Sequence, residues 1–220
     1  NLTVKNVDIS ALNPESPVSL RRGLVRNMGA DSTIENVHVL GVTITSTEVS
    51  GGLVGGMHTG RNTIVNCSVH DATITTTSKN NGNTQYIGGI AGIGSGDVII
   101  SITNSYVDGL HITARDASDV GGIGGIVGRV TSGCTLENLY VADTVIDSFF
   151  PYTAGVVGSI INQTYSDGYV LRNVYVDADI SSISDILGGF VGYSQPVNQA
   201  DKVNGLFLGN VYMRNEEFNY

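Results

Sequence analysis

Four tyrosines occupy the same place in a motif that recurs along the chain, (Val/Ile/Leu)xNxx(Val/Ile/Met). Each lies two residues after the Asn of its copy: Tyr106, Tyr140, Tyr175 and Tyr212. If the copies stack as strands, this position points outward and the tyrosines form an aromatic ladder. The rings can stack on one another or on sugar rings, and the hydroxyls can bond a partner. The ladder is therefore the candidate ligand-binding surface, and its alternative role is to stiffen the sheet or pack beneath a loop.

Acidic residues recur just after the same motif, at Asp71, Asp108, Asp143 and Asp177. Carboxylates stacked about 5 Å apart repel one another unless they are solvated or bridged by a cation such as Ca²⁺. Asp108, Asp143 and Asp177 are on this ground weak candidates for a metal site. The chain lacks the GGxGxDxUx nonapeptide of calcium-binding repeats, which favours a solvated acidic edge. We therefore expect no cofactor, with calcium as the open alternative.

Residues that could carry out catalysis are scarce. The sequence contains no HExxH metallopeptidase motif and no GxSxG nucleophile elbow. Parallel β-helices include polysaccharide lyases and hydrolases, which gather carboxylates and basic groups on one wall. Here Arg21, Arg22 and Arg26 cluster near the start, whereas the other basic residues are isolated, among them Arg115, Arg129 and Arg172. The sequence therefore favours a non-enzymatic role, with a polysaccharide-active β-helix enzyme as a lower-ranked hypothesis.

Charge and hydrophobicity argue against two classes of partner. The chain has 11 Lys and Arg against 20 Asp and Glu, a net charge of −9, which repels phosphate backbones and anionic lipid heads. No window approaches the 18 consecutive apolar residues of a membrane-spanning helix. We therefore expect neither nucleic-acid binding nor membrane insertion.

The 29 Gly, the absence of Trp and the many Val, Ile, Thr, Ser and Asn are typical of strands and tight turns.

A repeat of about 35 residues supplies the elements that must position these side chains. Its second motif occurs as GGLVG at 51–55, GGIAG at 88–92, GGIVG at 124–128, AGVVG at 154–158 and GGFVG at 188–192, with RGLVR at 22–26 as a degraded copy. An isolated Ile recurs between the two motifs, so each repeat offers three short strands. The sequence predicts an all-β fold, a parallel β-helix (β-solenoid) of about seven coils, right-handed, forming one domain over residues 1–220.

The Asn of the first motif occurs seven times, at Asn6, Asn36, Asn66, Asn104, Asn138, Asn173 and Asn210. The apolar positions around it do not alternate strictly, so the chain must bend or bulge at the Asn. The side chain can then cap the local backbone and bond the amide of the next copy. We therefore predict a structural ladder that consists of Asn36, Asn66, Asn104, Asn138, Asn173 and Asn210.

Two cysteines test this register. Cys67 takes the core position just after the Asn, which Val7 fills in the first copy, and Cys134 lies four residues before its Asn. Because a whole coil lies between the strands that carry them, the two cysteines should be about 10 Å apart or more, beyond disulfide reach. Both are predicted to be buried, reduced and unbridged.

The Gly-rich motifs, each paired with an upstream IxNxxV motif, resemble the bacterial GLUG repeat over about residues 2–213. GLUG repeats occur in secreted and surface-anchored bacterial proteins, including adhesin-like proteins, and in the non-catalytic region of the immunoglobulin A1 protease family. The resemblance implies an extracellular segment of a larger protein, secreted or at the cell surface, with no catalytic residue of its own. The absence of an initiator Met also leads us to expect a piece of a longer chain.

Two main functions remain as hypotheses. One is an adhesin-like module whose outer wall binds host glycan or protein. The other is a passive spacer or accessory scaffold next to a protease or other catalytic domain, with neighbouring domains of the same polypeptide as its partners. The tyrosine ladder favours the first hypothesis, and the lack of any convergent polar pocket in the sequence favours the second.

Overall fold

The computed structural model describes residues 1–10, 21–46, 49–57, 59–76, 85–94, 96–115, 121–161, 168–182, 186–195, 206–214 and 218–219. Within these ranges every helical or extended element is a β-strand, and the strands pair in parallel. The prediction of an all-β parallel solenoid is therefore confirmed.

The strands follow one another with short turns between them. In chain order they are β1 (Leu2–Ile9), β2 (Val25–Met28), β3 (Thr33–Glu35), β4 (Val37–Ser46), β5 (Val49–Gly51), β6 (Val54–Met57), β7 (Gly60–Val65), β8 (Ser68–His70), β9 (Thr73–Thr76), β10 (Gln85–Gly88), β11 (Ala91–Gly94), β12 (Val98–Asp108), β13 (His111–Ala114), β14 (Gly121–Gly124), β15 (Val127–Val130), β16 (Cys134–Ser148), β17 (Tyr152–Ala154), β18 (Val157–Ile161), β19 (Tyr169–Ser182), β20 (Leu187–Gly188), β21 (Val191–Gln195), β22 (Leu206–Arg214) and β23 (Phe218–Asn219).

Three sheets run along the solenoid. The first has 12 strands and includes β4, β12, β16, β19 and β22; the second has five, in the order β20-β17-β14-β10-β5; the third has six, in the order β2-β6-β11-β15-β18-β21. Among the described residues, the coils that begin at β3, β7, β12, β16 and β19 contribute to all three sheets. The structure thus has about five complete turns, and the predicted count of seven is wrong. The count fails because β1 and β22 also belong to the first sheet, but their coils are incomplete in the described residues. The coil of β1 reaches the second sheet only by a bridge between Arg22 and Ser50, and that of β22 contributes no described strand to it.

Left-handed residues mark two corners in the first sheet. The six asparagines of the predicted ladder all have φ between 50° and 57°. Five residues after Asn36 and Asn104, Gly41 and Gly109 have φ of 66°, and Asp143 has φ of 43° at the matching place after Asn138. Asn, Asp and Gly are the residue types that tolerate this conformation, so the sequence places each bend.

The first copy of the motif lies in a different register from the one expected. Val7 opposes Val42, not Val37, so that Asn6 is level with Gly41 at the second corner. Asn6 has φ of 54°, as the ladder asparagines do, and alternating apolar residues follow both corners. The two corners therefore look alike in the sequence, and the assignment of Asn6 and Val7 to the first corner is wrong.

The GGxxG motif forms the corner between the second and third sheets. A Cβ added to Gly124 would lie 2.2 Å from the carbonyl oxygen of Val127 and 2.4 Å from that of Val156. Real Cβ atoms do not approach backbone so closely, and Gly124 does not have positive φ. Gly124 is therefore required by close backbone packing, although Ala154 fills the equivalent position in the next coil.

The interior is filled by residues that recur once per coil. Ile44, Ile74, Ile112 and Ile146 oppose one another in register and are at most 1 % exposed.

Both cysteines are buried and free, as predicted. Burial raises the pKa of the Cys134 thiol to about 12, so the thiol is neutral at physiological pH.

Candidate ligand-binding wall

The tyrosine column lies on the outer face of the first sheet. After the left-handed Asn138 the strand alternates, so that Leu139 and Val141 are buried and Tyr140 between them is exposed. Cross-strand pairing holds the equivalent residues at one level, which from coil to coil are His38, Ser68, Tyr106, Tyr140, Tyr175 and Tyr212. The structure thus brings the four predicted tyrosines into one column.

Two of the tyrosines stack on each other. The ring centroids of Tyr140 and Tyr175 are 5.1 Å apart and their planes differ by 13°. Tyr140 remains 45 % exposed, and Tyr212 at the end of the column is 74 % exposed. Stacked rings cover each other's faces and present their edges and hydroxyls to solvent. A ligand can therefore reach an open ring face only at the two ends of the stacked pair.

Tyr106 leaves the stack and turns towards the preceding coil. Its ring meets the ring of His70 edge to face, with centroids 4.9 Å apart and an interplanar angle of 81°. The Tyr106 hydroxyl and His70 Nε2 share a hydrogen bond of 3.1 Å, and His70 Nδ1 lies 3.5 Å from Asp108 Oδ2. This contact with His70 interrupts the aromatic ladder between Tyr106 and Tyr140.

A shallow cleft of about 500 Å³, widely open to solvent, lies at this interruption and is lined by Asn104, Ser105, Tyr106, Asp108, Asn138 and Tyr140. Tyr106 and Tyr140 contribute aromatic surface, Asp108 contributes a carboxylate, and the two asparagines contribute amides. One face of Tyr140 is covered by Tyr175, so its other face borders the cleft. The cleft therefore combines an accessible aromatic face with a negative charge.

The acidic residues divide between two columns and do not form one. Asp108 is level with Ala142, just before the second corner, whereas Asp177 stands opposite both Ala142 and Asp143, because the register shifts there. Asp71 and Asp143 lie one position later, at the left-handed corner itself. The expected single column is wrong because the acid follows the buried Val by one residue in two coils and by two residues in the others. Asp71 and Asp143 are therefore about 10 Å apart, twice the coil spacing, whereas Asp143 and Asp177 lie in adjacent coils.

The structure does not bring the weak metal candidates together as a set of ligands. Among the described residues, no three His, Cys, Asp or Glu side chains are close enough to share a metal ion. A second depression of about 390 Å³ is lined by Asp143, Thr144, Val145, Asp177, Ala178, Asp179 and Arg214. Arg214 Nη1 lies 3.7 Å from Asp177 Oδ2, so this depression already contains a cation.

The electrostatic surroundings of Tyr140 are negative. Partial desolvation is the largest cause that raises the pKa of its phenol, followed by Tyr175 and by the carboxylates of Asp108, Asp143 and Asp177. A negative potential disfavours the phenolate, so the hydroxyl stays protonated and can donate a hydrogen bond. The carboxylates of Asp108, Asp143 and Asp177 therefore act together on Tyr140.

The asparagine ladder runs beside the wall. Side-chain amides bond from coil to coil: Asn66 to Asn36, Asn138 to Asn104 at 2.8 Å, Asn173 to Asn138 at 2.9 Å, and Asn210 to Asn173 at 3.1 Å. In each pair the Nδ2 group donates and the Oδ1 atom accepts. Such chains fix the spacing of the coils, which sets the spacing of the tyrosines next to them.

Comparison of the chain with protein-family models, curated proteins and solved structures found no match. The GLUG resemblance therefore depends on the recurring motifs alone. In the described part of the chain, no helix is long and apolar enough to cross a membrane.

Sequence reasoning missed His70 and two other aromatic contacts. His70 opposes Asp108, so an alignment of the repeats by strand register would have placed it beside the tyrosine column. Tyr152 and Tyr193 stack with centroids 4.5 Å apart on the second and third sheets. Arg129 lies over the ring of Tyr86 at 4.9 Å and donates a hydrogen bond to its hydroxyl. The Tyr152–Tyr193 and Tyr86–Arg129 contacts each join the second sheet to the third, and no motif position predicts them.

Proposed function

We propose that this chain is a non-enzymatic, GLUG-type module of a bacterial surface or secreted protein that binds host glycan or protein through its outer wall. The cleft between Tyr106 and Tyr140 is the observation that supports this function best. Aromatic rings with protonated hydroxyls are frequent at binding surfaces, since they bury large areas and still hydrogen-bond. Catalysis is not part of this proposal, and binding requires no cofactor.

A passive spacer or accessory scaffold is the second candidate. The amide ladder and the Tyr140–Tyr175 stack support it, because both link successive coils and stiffen a rod. In that case the tyrosines serve the sheet, and the partners are the neighbouring domains of the same polypeptide.

Replacement of two wall tyrosines separates these candidates. Tyr140→Ser combined with Tyr175→Ser should weaken attachment to the glycan or protein that the wild-type chain binds on a broad screen. The effect should be the same with and without EDTA. The free energy of unfolding should fall by only about 1 to 2 kcal/mol, because one aromatic pair on an outer face is lost.

The matched control removes the other stacked pair, with Tyr152→Ser and Tyr193→Ser. This variant should retain binding, since its tyrosines lie on other sheets. Unchanged binding by the Tyr140→Ser and Tyr175→Ser variant would favour the spacer. If that variant unfolded instead, the tyrosine ladder would have a structural role. A loss of binding in EDTA alone would instead favour calcium at the acidic columns.

We also propose that the solenoid winds to the right, because parallel crossovers within one sheet are overwhelmingly right-handed. An experimentally determined structure would show the sense of winding directly.

A further inference from the structure

The wall around Tyr140 carries an excess of negative charge. Asp108 lines the cleft, and Asp143 is exposed at the next corner. Asp177 is close enough to act on the phenol of Tyr140 but is paired with Arg214. Within the described part of the chain, no ion pair involves Asp143, and Asp108 meets only His70. The whole chain has a net charge of −9, so the local charge adds to the overall field.

We infer that the cleft between Tyr106 and Tyr140 binds a lysine or arginine side chain from a basic segment of a protein partner. This inference rests on the proposed binding function and specifies the chemistry of the partner. A cation over a tyrosine face is attracted by the ring quadrupole, and here the Asp108 carboxylate lies in the same cleft. A basic segment therefore gains from both the ring and the charge.

The same geometry occurs elsewhere in this chain. The guanidinium carbon of Arg129 lies 4.9 Å from the centroid of the Tyr86 ring, and its Nη1 donates a hydrogen bond of 2.7 Å to the Tyr86 hydroxyl. A partner arginine over the open face of Tyr140 would make the equivalent contact with the ring. The difference is that Tyr86 is buried, whereas Tyr140 is accessible from solvent.

A glycan fits the wall less well than a basic segment does. Sugar rings bind by stacking on exposed aromatic faces, and the Tyr140–Tyr175 stack covers one face of each ring. A neutral sugar also gains no Coulomb energy from Asp108, Asp143 and Asp177, and an anionic sugar is repelled by them. The acidic columns therefore favour a cationic ligand.

Labelled peptides of defined charge test the inference. The probes are three fluorescein-labelled octapeptides, (Gly-Arg)₄, (Gly-Ser)₄ and (Gly-Glu)₄, titrated into the full chain at low and at physiological ionic strength. Only the arginine peptide should bind, and its affinity should fall as salt rises, because the contact is partly exposed. Tyr140→Leu should weaken its binding about 2-fold to 5-fold, the range of an exposed cation–π contact. Tyr140→Phe, which keeps the ring, should bind more tightly than Tyr140→Leu.

A charge control distinguishes the cleft from general attraction. Asp108→Asn should lower the affinity for the arginine peptide by up to about 5-fold, as expected for the loss of a partly exposed ion pair. Glu35→Gln removes one exposed negative charge from the same sheet three coils away from Tyr140, and should leave the affinity nearly unchanged. Thermal melting of each variant checks that the solenoid is intact. Equal weakening by Asp108→Asn and Glu35→Gln would overturn the inference.

The outcomes also separate this inference from the proposed function. Equal binding of the arginine and serine peptides, or wild-type affinity in Tyr140→Leu, would show that the cleft is not a cation site. If the Tyr140 and Tyr175 double variant still lost attachment to a glycan on the screen, the wall would bind glycan, and only the inference would be wrong. If neither peptide nor screened partner depended on the wall, both proposals would fail.

Discussion

At the scale of single residues, the left-handed asparagines determine the geometry of the wall. Asn138 adopts φ of 55°, bonds the amides of Asn104 and Asn173, and turns the strand so that Tyr140 points outward. A non-glycine residue other than Asn or Asp in this conformation is strained by roughly 1 to 2 kcal/mol. The asparagine therefore contributes both a backbone preference and a hydrogen-bonded side chain, and the two effects can be measured separately.

Asn138→Ala should reduce the free energy of unfolding by about 2 kcal/mol, because it loses the amide bonds and forces alanine into the left-handed region. Asn138→Gly also loses the amide bonds but has no strain, so it should cost about 1 kcal/mol less. Chemical denaturation of both variants measures the difference. Equal costs would show that positive φ is not the reason for asparagine at this corner.

The sequence predicted which tyrosines share a face but not how their rings pair. Position two residues after the Asn is enough to predict the column, because strand alternation fixes the direction of a side chain. The break between Tyr106 and Tyr140 depends on the rotamer of Tyr106 and on its contact with His70, one coil away. Such a contact between coils requires the exact register, which the motif alone does not give.

At the scale of elements, the coil is defined by corners more than by strands. The first sheet bends at two left-handed positions, and the second and third sheets meet at the GGxxG corner. The motifs predict the repeat and a parallel solenoid, which the structure confirms with three sheets. The three strands predicted for each coil occur in the coils that begin at β16 and β19, whereas the coil that begins at β7 has five. The register of Asn6 did not follow, because the two left-handed corners look alike in the sequence. The positions of the acidic residues did not follow either, because one extra residue between the buried Val and the acid moves the side chain without altering the motif around it.

Gly124 should tolerate no side chain, although Ala154 fills the equivalent position in the next coil. Gly124→Ala places a Cβ against the carbonyl oxygens of Val127 and Val156, so it should destabilise the chain by about 3 kcal/mol or more. Gly29→Ala is the matched control, since its nearest neighbour would be Ser32 Oγ at 3.7 Å, an ordinary contact. Thermal unfolding of the two variants provides the comparison. A Gly124→Ala protein as stable as Gly29→Ala would contradict the close packing of the two sheets.

At the scale of the whole molecule, each coil is stabilised by its neighbours. In the described residues β16 pairs with β12 and β13 on one side and β19 on the other, whereas β1 pairs only with β4. The side chains follow the same gradient: Leu136 in β16 is fully buried, whereas Leu208, which occupies the same core position in β22, is 46 % exposed. Stability in such a stack is approximately a sum of coil and nearest-neighbour contributions, so the outermost rungs are the weakest.

Hydrogen exchange should therefore show a gradient along the solenoid. Amides of β16 should exchange slowest, and those of β1 and β22 fastest. Opening an end coil disrupts one interface with a neighbouring coil, whereas opening a central coil disrupts two. Mass spectrometry of peptides from each coil measures the order directly. Val141→Ala, in the core of β16, should speed exchange in β12 and β19 as well as in β16, whereas Val211→Ala in β22 should affect β22 and β19 and leave β12 unchanged. Uniform protection from β1 to β22 would instead show that all coils open together, and the tyrosine wall would then unfold as one unit with the rest of the rod.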